Sequence, residues 1–281
     1  MRARIARETL DILERGSYTN PSGEIVSIAD ELAKARSASV VYSPQRFAGV
    51  LRQRDLLPRE RRQLTTFEVA NETTLHAARR LIASDPPVRV LALNFASAKN
   101  PGGGFLNGSQ AQEESLARAS GLYSCIAPLQ QMYEANRRFP SCLYTDHMIY
   151  SPDVPVFRDD ADSFLEEAYL VSFLTAPAVN VGAVARKERH NLARIEPVMM
   201  GRMERLLALA VVHGHDTLVL GAWGCGVFAN NPSDVARWFA EHLLGEGRYC
   251  GVFRKVVFAV LDSSPNRATI RSFQQLFGEV Q

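Results

Sequence analysis

Features that would assign this sequence to several common protein classes are missing from it. No apolar run among the 281 residues approaches the roughly eighteen residues of a membrane span, and the opening segment MRARIARETLDILERGSY carries charges where a signal peptide has its apolar stretch. Basic and acidic residues nearly balance, at 32 and 30, so no strong field draws the chain to nucleic acid or to a membrane surface. We expect a cytoplasmic protein with no membrane partner and no direct nucleic-acid binding.

The cysteine pattern is equally sparse. The chain has no C-x-x-C pair and no His at the spacing of a zinc ligand, which argues against a disulfide framework and against a structural zinc site. We interpret the four widely spaced cysteines as reduced thiols of the core: Cys125, Cys142, Cys225 and Cys250.

The remaining composition is that of a globular protein with one sizeable core, since 46% of the residues are hydrophobic and 22% are charged. From about residue 64, apolar strand patterns alternate with helical patterns, which predicts an α/β fold with helices on both faces of the sheet. The predicted strands are TTFEVA, VRVLALNF, MIYSPDVPVF, LVSFLTAPAV, TLVLGAW and KVVFAVLD. The predicted helices are NETTLHAARRLIAS, QEESLARASGLYSCIA, LQQMYEANRRF, RIEPVMMGRMERLLALAVVHG, NPSDVARWFAEHLL and NRATIRSFQQLF, with Asn71 and Asn231 as N-caps of the first and fifth.

A different pattern precedes this alternation. Residues 2–15 predict a charged amphipathic helix, and SYTNPSGEIVSI predicts a hairpin that turns at residues 20–23. We interpret residues 1–63 as an N-terminal accessory extension that packs on a core of residues 64–281, the whole forming one structural unit.

Two glycine-rich loops follow predicted buried strands. NPGGGFLNGSQ contains Gly102, Gly103 and Gly104 in succession, and GAWGCGVFANN contains the second set. Glycine loses more backbone entropy on folding than other residues, so a close approach to the backbone is the natural reason for such a triplet, and free N–H groups near a helix start bind anions. A pair of tight turns is the alternative interpretation.

Other loop chemistries fit less well. GCGVFA, residues 224–229, formally matches the dinucleotide pattern G-x-G-x-x-A, but the acid that the pattern requires about twenty residues later corresponds to Glu246, in a polar turn. Neither loop is followed by Lys and then Ser or Thr, which excludes a Walker-type nucleotide hydrolase.

Two adjacent acids, Glu113 and Glu114, stand with Gln112 at the start of the helix after the triplet. Acids at a helix start also stabilise the helix dipole, which is the structural alternative. Adjacent helix residues point about 100° apart, so we expect different roles. One Glu with a raised pKa would act as acid and then as base in glycoside hydrolysis, while its neighbour grips sugar hydroxyls. The amide of Gln112 would orient either acid, and the residues alone leave open which Glu does which.

These segments resemble a known family. GGGFLNGSQAQEE is similar to the signature of poly(ADP-ribose) glycohydrolases, in which a GGG triplet is followed after a short spacer by QEE, and GAWGCGVF looks like their diphosphate-binding loop. The segments ETLDILERGSY, NFASAKNPGGG and FLTAPAVN resemble the bacterial type in particular. The resemblance covers most of residues 5–265.

The resemblance implies a macrodomain-like mixed sheet flanked by helices, with an N-terminal helical extension. It also implies metal-independent hydrolysis, without a cofactor, of the ribose–ribose O-glycosidic bond of poly(ADP-ribose), preferentially from the chain end, releasing ADP-ribose. The partners would be poly(ADP-ribose), ADP-ribose and poly(ADP-ribosyl)ated proteins.

Residue roles follow from the same resemblance. Glu114 would be the general acid-base and Glu113 would hold ribose hydroxyls, while the glycine triplet approaches the reacting ribose. Asn100, or alternatively Asn94, would bond to that ribose. The other residues that we place at the substrate are Gln112, the diphosphate-binding Gly224, Cys225, Gly226 and Val227, and Phe228 beside the reacting ribose.

Three rival functions remain: a macrodomain that binds ADP-ribose without cleaving polymer, a hydrolase of mono-ADP-ribosylated protein, and, more distantly, a nicotinamide oxidoreductase. Two short basic runs, RRFPSC and PRERRQ, would either meet polymer phosphates or form solvated surface.

Overall fold

A computed structural model describes residues 1–56, 64–85 and 88–278. The N-terminal part contains three helices and three short strands. In chain order these are α1 (Arg2–Arg15), β1 (Ser17–Thr19), β2 (Ile25–Ser27), α2 (Ala29–Ala38), β3 (Val40–Tyr42) and α3 (Phe47–Leu56). The predicted first helix and hairpin are confirmed, whereas α2, β3 and α3 were not predicted. The basic run PRERRQ lies outside the described residues.

The rest of the chain alternates strands and helices as predicted. Its elements are β4 (Thr66–Ala70), α4 (Thr74–Ser84), β5 (Val90–Phe95), α5 (Gln112–Ala119), α6 (Leu122–Ile126), α7 (Gln130–Arg138), β6 (Met148–Arg158), β7 (Phe164–Ala176), α8 (Val181–Lys187), α9 (Ile195–Val212), β8 (Thr217–Leu220), α10 (Pro232–Leu243), β9 (Lys255–Ala259) and α11 (Ala268–Phe277). The short helix α8 was not predicted.

Seven strands form one mixed sheet in the order β3-β6-β7-β5-β8-β9-β4. Strand β6 is antiparallel to both of its neighbours, while β7, β5, β8, β9 and β4 are parallel to one another. Strands β4 and β5 therefore belong to one parallel set, but β8 and β9 lie between them. The carboxyl ends of β5 and β8, which are neighbours, meet at the same edge of the sheet.

Helices cover both faces of the sheet, and this explains the continuous apolar strands. Along β5, Leu91 and Leu93 face a core that includes α3, α9, α10 and α11, whereas Val90 and Ala92 face a core that includes α4, α5, α6 and α7. Alternate residues of a strand point to opposite faces, so both sets must be apolar. The α/β class predicted from the sequence is confirmed.

One of the two predicted caps is wrong. The side chain of Asn231 accepts the N–H of Ser233 and caps α10 as expected. At α4 the cap is Thr73, whose hydroxyl accepts the N–H of His76. Asn71 instead bonds through both its side-chain atoms to the backbone of Asp262, after β9. A long-range pairing with the neighbouring strand end has replaced the local cap.

The N-terminal segment is joined closely to the rest of the fold. Strand β3 pairs with β6, so residues 40–42 form an edge of the main sheet. Helix α1 packs through Ala6 against Phe105 in the first glycine-rich loop, and Thr9 Oγ1 donates to the carbonyl of Arg118 on α5 at 2.8 Å. A division of the chain at residues 63 and 64 would therefore separate an edge strand from its sheet, and that division stays a prediction.

All four cysteines are free, but they differ in exposure. Cys125 is buried, Cys142 and Cys225 are partly exposed, and Cys250 is exposed in the turns between α10 and β9. The interpretation of all four as core thiols is therefore wrong for Cys250. In residues 1–56, 64–85 and 88–278, no helix is long and apolar enough to cross a membrane.

Candidate active site

The two glycine-rich loops lie side by side at the carboxyl edge of the sheet. The first leaves β5 and leads into α5, and the second leaves β8 and leads into α10. This edge, beyond the carboxyl ends of parallel strands, is where α/β sheets bind ligands. The structure therefore brings both loops and the paired acids into one region.

Two backbone N–H groups of the glycine triplet are hydrogen-bonded within the protein. The N–H of Gly103 donates to the Asn100 carbonyl at 3.0 Å, and that of Gly104 donates to Glu114 Oε1 at 2.9 Å. The expectation that this loop offers free amides to a ligand is therefore wrong for Gly103 and Gly104. The amide of Gly104 instead holds Glu114 in place.

The lack of side chains in the triplet has a packing reason. Gly102 and Gly103 have φ of +69° and +58°, in the left-handed region that favours glycine. A Cβ on Gly102 would lie 2.9 Å from the ring of Tyr123, and a Cβ on Gly103 would overlap Glu114 Oε1 and lie 3.2 Å from Glu113 Oε2. The triplet is thus a wall of bare backbone pressed against both carboxyl groups.

Glu113 is the more enclosed of the two acids, with 3% of its surface exposed. Its Oε2 accepts the N–H of Ser97 at 2.7 Å and its Oε1 accepts Asn94 Nδ2 at 3.3 Å. Burial raises the pKa of Glu113 to about 8, against the effect of these hydrogen bonds, and the nearby charge of Glu114 acts in the same direction as burial. Near neutral pH its carboxyl group is therefore protonated.

Glu114 is held at one oxygen only. Its Oε1 accepts the N–H of Gly104, whereas its Oε2 has no hydrogen-bond partner among the residues that the structure describes. The side chain keeps 9% of its surface exposed, three times the fraction of Glu113. One oxygen of Glu114 is thus fixed in position, and the other is available to a ligand.

The two asparagines near the triplet have different surroundings. Asn94 is fully buried behind Glu113, and its Nδ2 also donates to Thr175 Oγ1 at 3.1 Å. Asn100 is exposed and lies in the loop itself. Of the two residues weighed for contact with a ribose, only Asn100 has access to a ligand. Asn94, like Ser97, supports Glu113, a role that the spacing of residues in the sequence does not indicate.

Gln112 fastens the start of α5 to the end of β5. Its Oε1 accepts the N–H of Phe95 at 2.8 Å and its Nε2 donates to the Leu93 carbonyl at 2.7 Å and to Thr74 Oγ1 at 3.1 Å. The pairing of β5 with β8 ends at Ala92. Beyond that residue, the Gln112 amide makes the hydrogen bonds to β5 that a neighbouring strand would otherwise make. These contacts show that Gln112 supports the start of α5, whereas the sequence predicted it to be a substrate-binding residue.

The second glycine-rich loop does present free amides. The N–H groups of Gly226, Val227 and Phe228 make no hydrogen bond within the described part of the chain, and Val227 is 88% exposed. Successive free N–H groups in a turn form an anion-binding concavity. Gly224 has φ of +75°, and a Cβ there would lie 2.5 Å from Asn230 Nδ2, so close packing beneath the loop requires glycine.

Neighbouring side chains anchor this loop. Trp223 is fully buried and donates its indole N–H to the Ala176 carbonyl at 3.0 Å. The N–H of Cys225 donates to the Ala222 carbonyl, and burial raises the pKa of its thiol to about 12. The carbonyl of Phe228 accepts the N–H of Gly182 at 3.1 Å, and its ring lies 5.9 Å from that of Tyr144.

A cleft of about 480 Å³ opens from the second loop towards α4, a size within the range of small-molecule sites. It combines an apolar floor with a polar rim. The floor includes Leu75, Phe95, Leu116, Ala222 and Val260, and the rim includes Glu72, Thr73, Thr74, Gln112, Ser115, Asp160 and Thr269. The residues named here come from seven separate segments of the sequence. Of the residues that line the cleft, Gln112, Cys225 and Gly226 were predicted.

Comparisons with known proteins give a consistent result. Residues 6–159, just over half of the chain, match the family model described as microbial-type PARG, catalytic domain. A comparison with curated proteins found no match.

Solved structures extend the similarity over nearly the whole chain. The poly(ADP-ribose) glycohydrolase from Thermomonospora curvata is 49% identical, with a TM-score of 0.93 and coverage of 98% of this chain and 99% of that chain. Its complex with the inhibitor ADP-HPD is 48% identical, with a TM-score of 0.90 and coverage of 98% of each chain. The poly(ADP-ribose) glycohydrolase from Deinococcus radiodurans in complex with ADP-ribose is 46% identical, with a TM-score of 0.79 and coverage of 87% of this chain and 95% of that chain.

Proposed function

The chain belongs to the family of microbial-type poly(ADP-ribose) glycohydrolases, and on this premise we propose that it hydrolyses the ribose–ribose O-glycosidic bond of poly(ADP-ribose). The observation that carries the proposal is the state of Glu114. Its Oε1 is held by the N–H of Gly104 and lies against the bare backbone of Gly103, whereas its Oε2 makes no hydrogen bond within the described residues. Oε2 is therefore the oxygen that can reach a substrate.

In this mechanism Glu114 gives its proton to the glycosidic oxygen as the bond to the anomeric carbon breaks. The same carboxylate then takes a proton from the water that attacks that carbon. A single fixed carboxyl group that serves as acid and then as base contributes about 10²- to 10⁴-fold to the rate. Its hydrogen bond to Gly104 keeps it in position through both steps.

Glu113 holds the reacting ribose rather than transferring the proton. Hydrogen bonds from Ser97 and Asn94 already engage both oxygens of its carboxyl group, which leaves it less freedom than Glu114. Because its pKa is raised to about 8, it carries a proton near neutral pH and can donate one hydrogen bond to a ribose hydroxyl. Asn100, exposed in the same loop, supplies a further contact.

The remaining parts of the ADP-ribose unit extend away from the acids. The free amides of Gly226, Val227 and Phe228 bind the diphosphate, since they are oriented donors in a turn. The adenosine end occupies the 480 Å³ cleft, where the apolar floor contacts the base and the polar rim contacts the sugar. This arrangement supports binding of ADP-ribose and of the polymer; modified proteins as partners and a cytoplasmic location stay predictions.

Replacement of Glu114 by Gln tests the assignment. The variant should bind ADP-ribose with unchanged affinity in calorimetry and should release ADP-ribose from purified polymer at least about 100-fold more slowly than the parent enzyme. Glu167→Gln is the matched control, because Glu167 is exposed near the start of β7, at the opposite end of the sheet, and loses the same charge. Polymer cleavage at the parent rate by the Glu114 variant would remove Glu114 from this role.

Product analysis tests the substrate and the direction of cleavage. The early products from long polymer should be free ADP-ribose with few oligomers, which is the outcome of cleavage from the chain end. Release of ADP-ribose from mono-modified protein alone would instead identify a mono-ADP-ribose hydrolase. Binding of polymer without any cleavage by the parent protein would identify a binding module.

A further inference from the structure

Four exposed basic side chains lie beside the two glycine-rich loops and outside the cleft. We call them the basic face: Lys99, Arg137, Arg186 and Lys187. None of them lines the cleft, and none forms an ion pair with a carboxylate within the described residues. Their neighbour Arg138, by contrast, pairs with Glu134 at 3.3 Å.

Contacts with both glycine-rich loops fix the position of this face. Lys99 directly precedes Asn100 in the first loop, and its carbonyl accepts Arg137 Nε at 3.0 Å. On the other side, Arg186 Nη1 lies 3.5 Å from where a Cβ of Gly182 would be, and the N–H of Gly182 donates to the Phe228 carbonyl of the second loop. The basic side chains therefore border the mouth of the site between the two loops.

The partly exposed thiol of Cys142 links the two sides. Burial and then Glu188 raise its pKa, while the charges of Lys99 and Lys187 both act in the opposite direction. The charges of both lysines thus act on the same thiol, although Lys187 belongs to α8 and Lys99 to the loop after β5.

Glu188 lies beside these residues and does not neutralise them. Burial alone would raise the pKa of Glu188, but hydrogen bonds from Ser141, Cys142 and Asn191 together lower it to about 2. Its carboxylate is thus fully engaged by neutral donors. The basic face thus has four cationic groups and one carboxylate that is hydrogen-bonded to its neutral neighbours. It is strongly positive, as a binding surface for phosphates requires.

The chemistry of the proposed function indicates what this face meets. When the cleaved unit occupies the second loop and the cleft, the leaving group is a ribose 2′-oxygen of the next unit, which extends from Glu114 away from the cleft. That unit carries its own diphosphate. We propose that the basic face binds the diphosphate of the polymer unit on the leaving side of the scissile bond, an inference that rests on the proposed function.

A pair of charge-matched double variants tests this binding site. Lys99→Gln with Lys187→Gln removes two charges from the face. Lys34→Gln with Arg52→Gln removes two exposed charges from α2 and α3, which contribute no residue to the site. The first variant should raise the KM for long polymer about fivefold and leave the Kd for ADP-ribose unchanged, because ADP-ribose has no phosphate on the leaving side. The control variant should match the parent enzyme in both.

The salt dependence of KM is a second measurement, and it would not change if these residues had only a structural role. Each lost phosphate contact should lower the slope of log KM against log salt concentration by about 0.7. The inference would be overturned if the parent enzyme cleaves polymer and the Lys99 and Lys187 double variant has the same KM and the same salt slope. It would also be overturned if the double variant lost affinity for ADP-ribose by the same factor as for polymer. Loss of affinity for single-stranded poly(A) with an unchanged KM for polymer would make the face a nucleic-acid surface and also overturn it. A parent enzyme that cleaves no polymer would instead contradict the proposed function.

Discussion

Gly103 lies so close to Glu114 that a Cβ at this position would overlap the carboxyl oxygen Oε1. The two residues are eleven positions apart and belong to different elements, yet they form one packed unit. The glycine triplet and the acid pair therefore act together. The backbone of the triplet supports the carboxyl group of Glu114, and the absence of side chains leaves space beside that group.

Replacement of Gly103 by Ala should inactivate the enzyme. The methyl group would displace Glu114, and a misplacement of about 1 Å near the reacting atoms costs about 100-fold in rate. Turnover of polymer should fall by at least that factor in a kinetic assay.

Gly23→Ala is the control that separates the steric effect of the added Cβ from the cost of a positive φ. Gly23 also has a positive φ, of +85°, but an added Cβ would meet nothing within 4 Å in the hairpin. We expect it to lose about 1 kcal/mol of unfolding free energy without loss of activity. Equal activity losses in the two variants would contradict the packing explanation.

Replacement of Gln112 by Ala should weaken both the fold and the reaction. Its amide makes three hydrogen bonds that join α5 to β5 and α4, so its removal should cost about 2 kcal/mol of unfolding free energy in denaturant titration. Turnover should fall more than affinity for ADP-ribose, since the acids shift while the second loop is untouched. Gln53→Ala, on the exposed surface of α3, serves as the control and should change neither.

Glu113→Gln should make the protein more stable at neutral pH. The pKa of Glu113 is raised from 4.5 to about 8 in the folded state, so the folded form keeps a proton that the unfolded form releases. This contribution is fully present below pH 4.5 and falls by about 1.4 kcal/mol per pH unit as the pH rises towards 8. The variant lacks this loss and should gain on the order of 3–4 kcal/mol over the parent at pH 7.

The two proteins should have similar stabilities below pH 4.5, which denaturant unfolding across the pH range can check. A constant difference from pH 4 to pH 9 would show that the pKa of Glu113 is not raised. The same titration predicts a decline of polymer cleavage above about pH 8, because deprotonated Glu113 loses the hydrogen bond that it donates to ribose.

The cysteines should differ sharply in reactivity towards an alkylating reagent. Burial raises the pKa of Cys125 to about 11 and that of Cys225 to about 12, so neither forms appreciable thiolate at pH 8. Cys250 is exposed and should be modified first in the folded protein, as peptide mass spectrometry would show. Rapid modification of Cys225 in the folded state would contradict the burial of its thiol in the second loop.

Sequence patterns were sufficient for much of the architecture because they are local. The period of α9 and the apolar runs of β5 and β8 reflect their own burial, so each can be recognised in isolation. The short strand β3 has only three residues, and its place at the sheet edge depends on pairing with β6, more than a hundred residues away. No local pattern records such a partner.

The same distinction applies to the site. The triplet and the acids are recognisable together because they are close in sequence and recur as a signature. The partners of Glu113 and Gln112 are groups of β5, of the loop that follows it and of α4, including Asn94, Ser97 and Thr74. Their roles depend on how strands and helices meet in space. Asn71 is a further example, because its side chain was expected to cap a helix and instead donates a hydrogen bond to the distant backbone of Asp262.

The packing of α1 on the first glycine-rich loop has a practical consequence for handling the protein. Gly108 lies so near the backbone of Ala3 that an added Cβ would be 3.0 Å from its N atom, and Ala6 touches Phe105 directly behind the triplet. A truncation or proteolytic nick within the first sixteen residues would thus damage the catalytic loop from behind, although it removes no residue that touches substrate. The smallest transplantable unit of this enzyme includes its first helix.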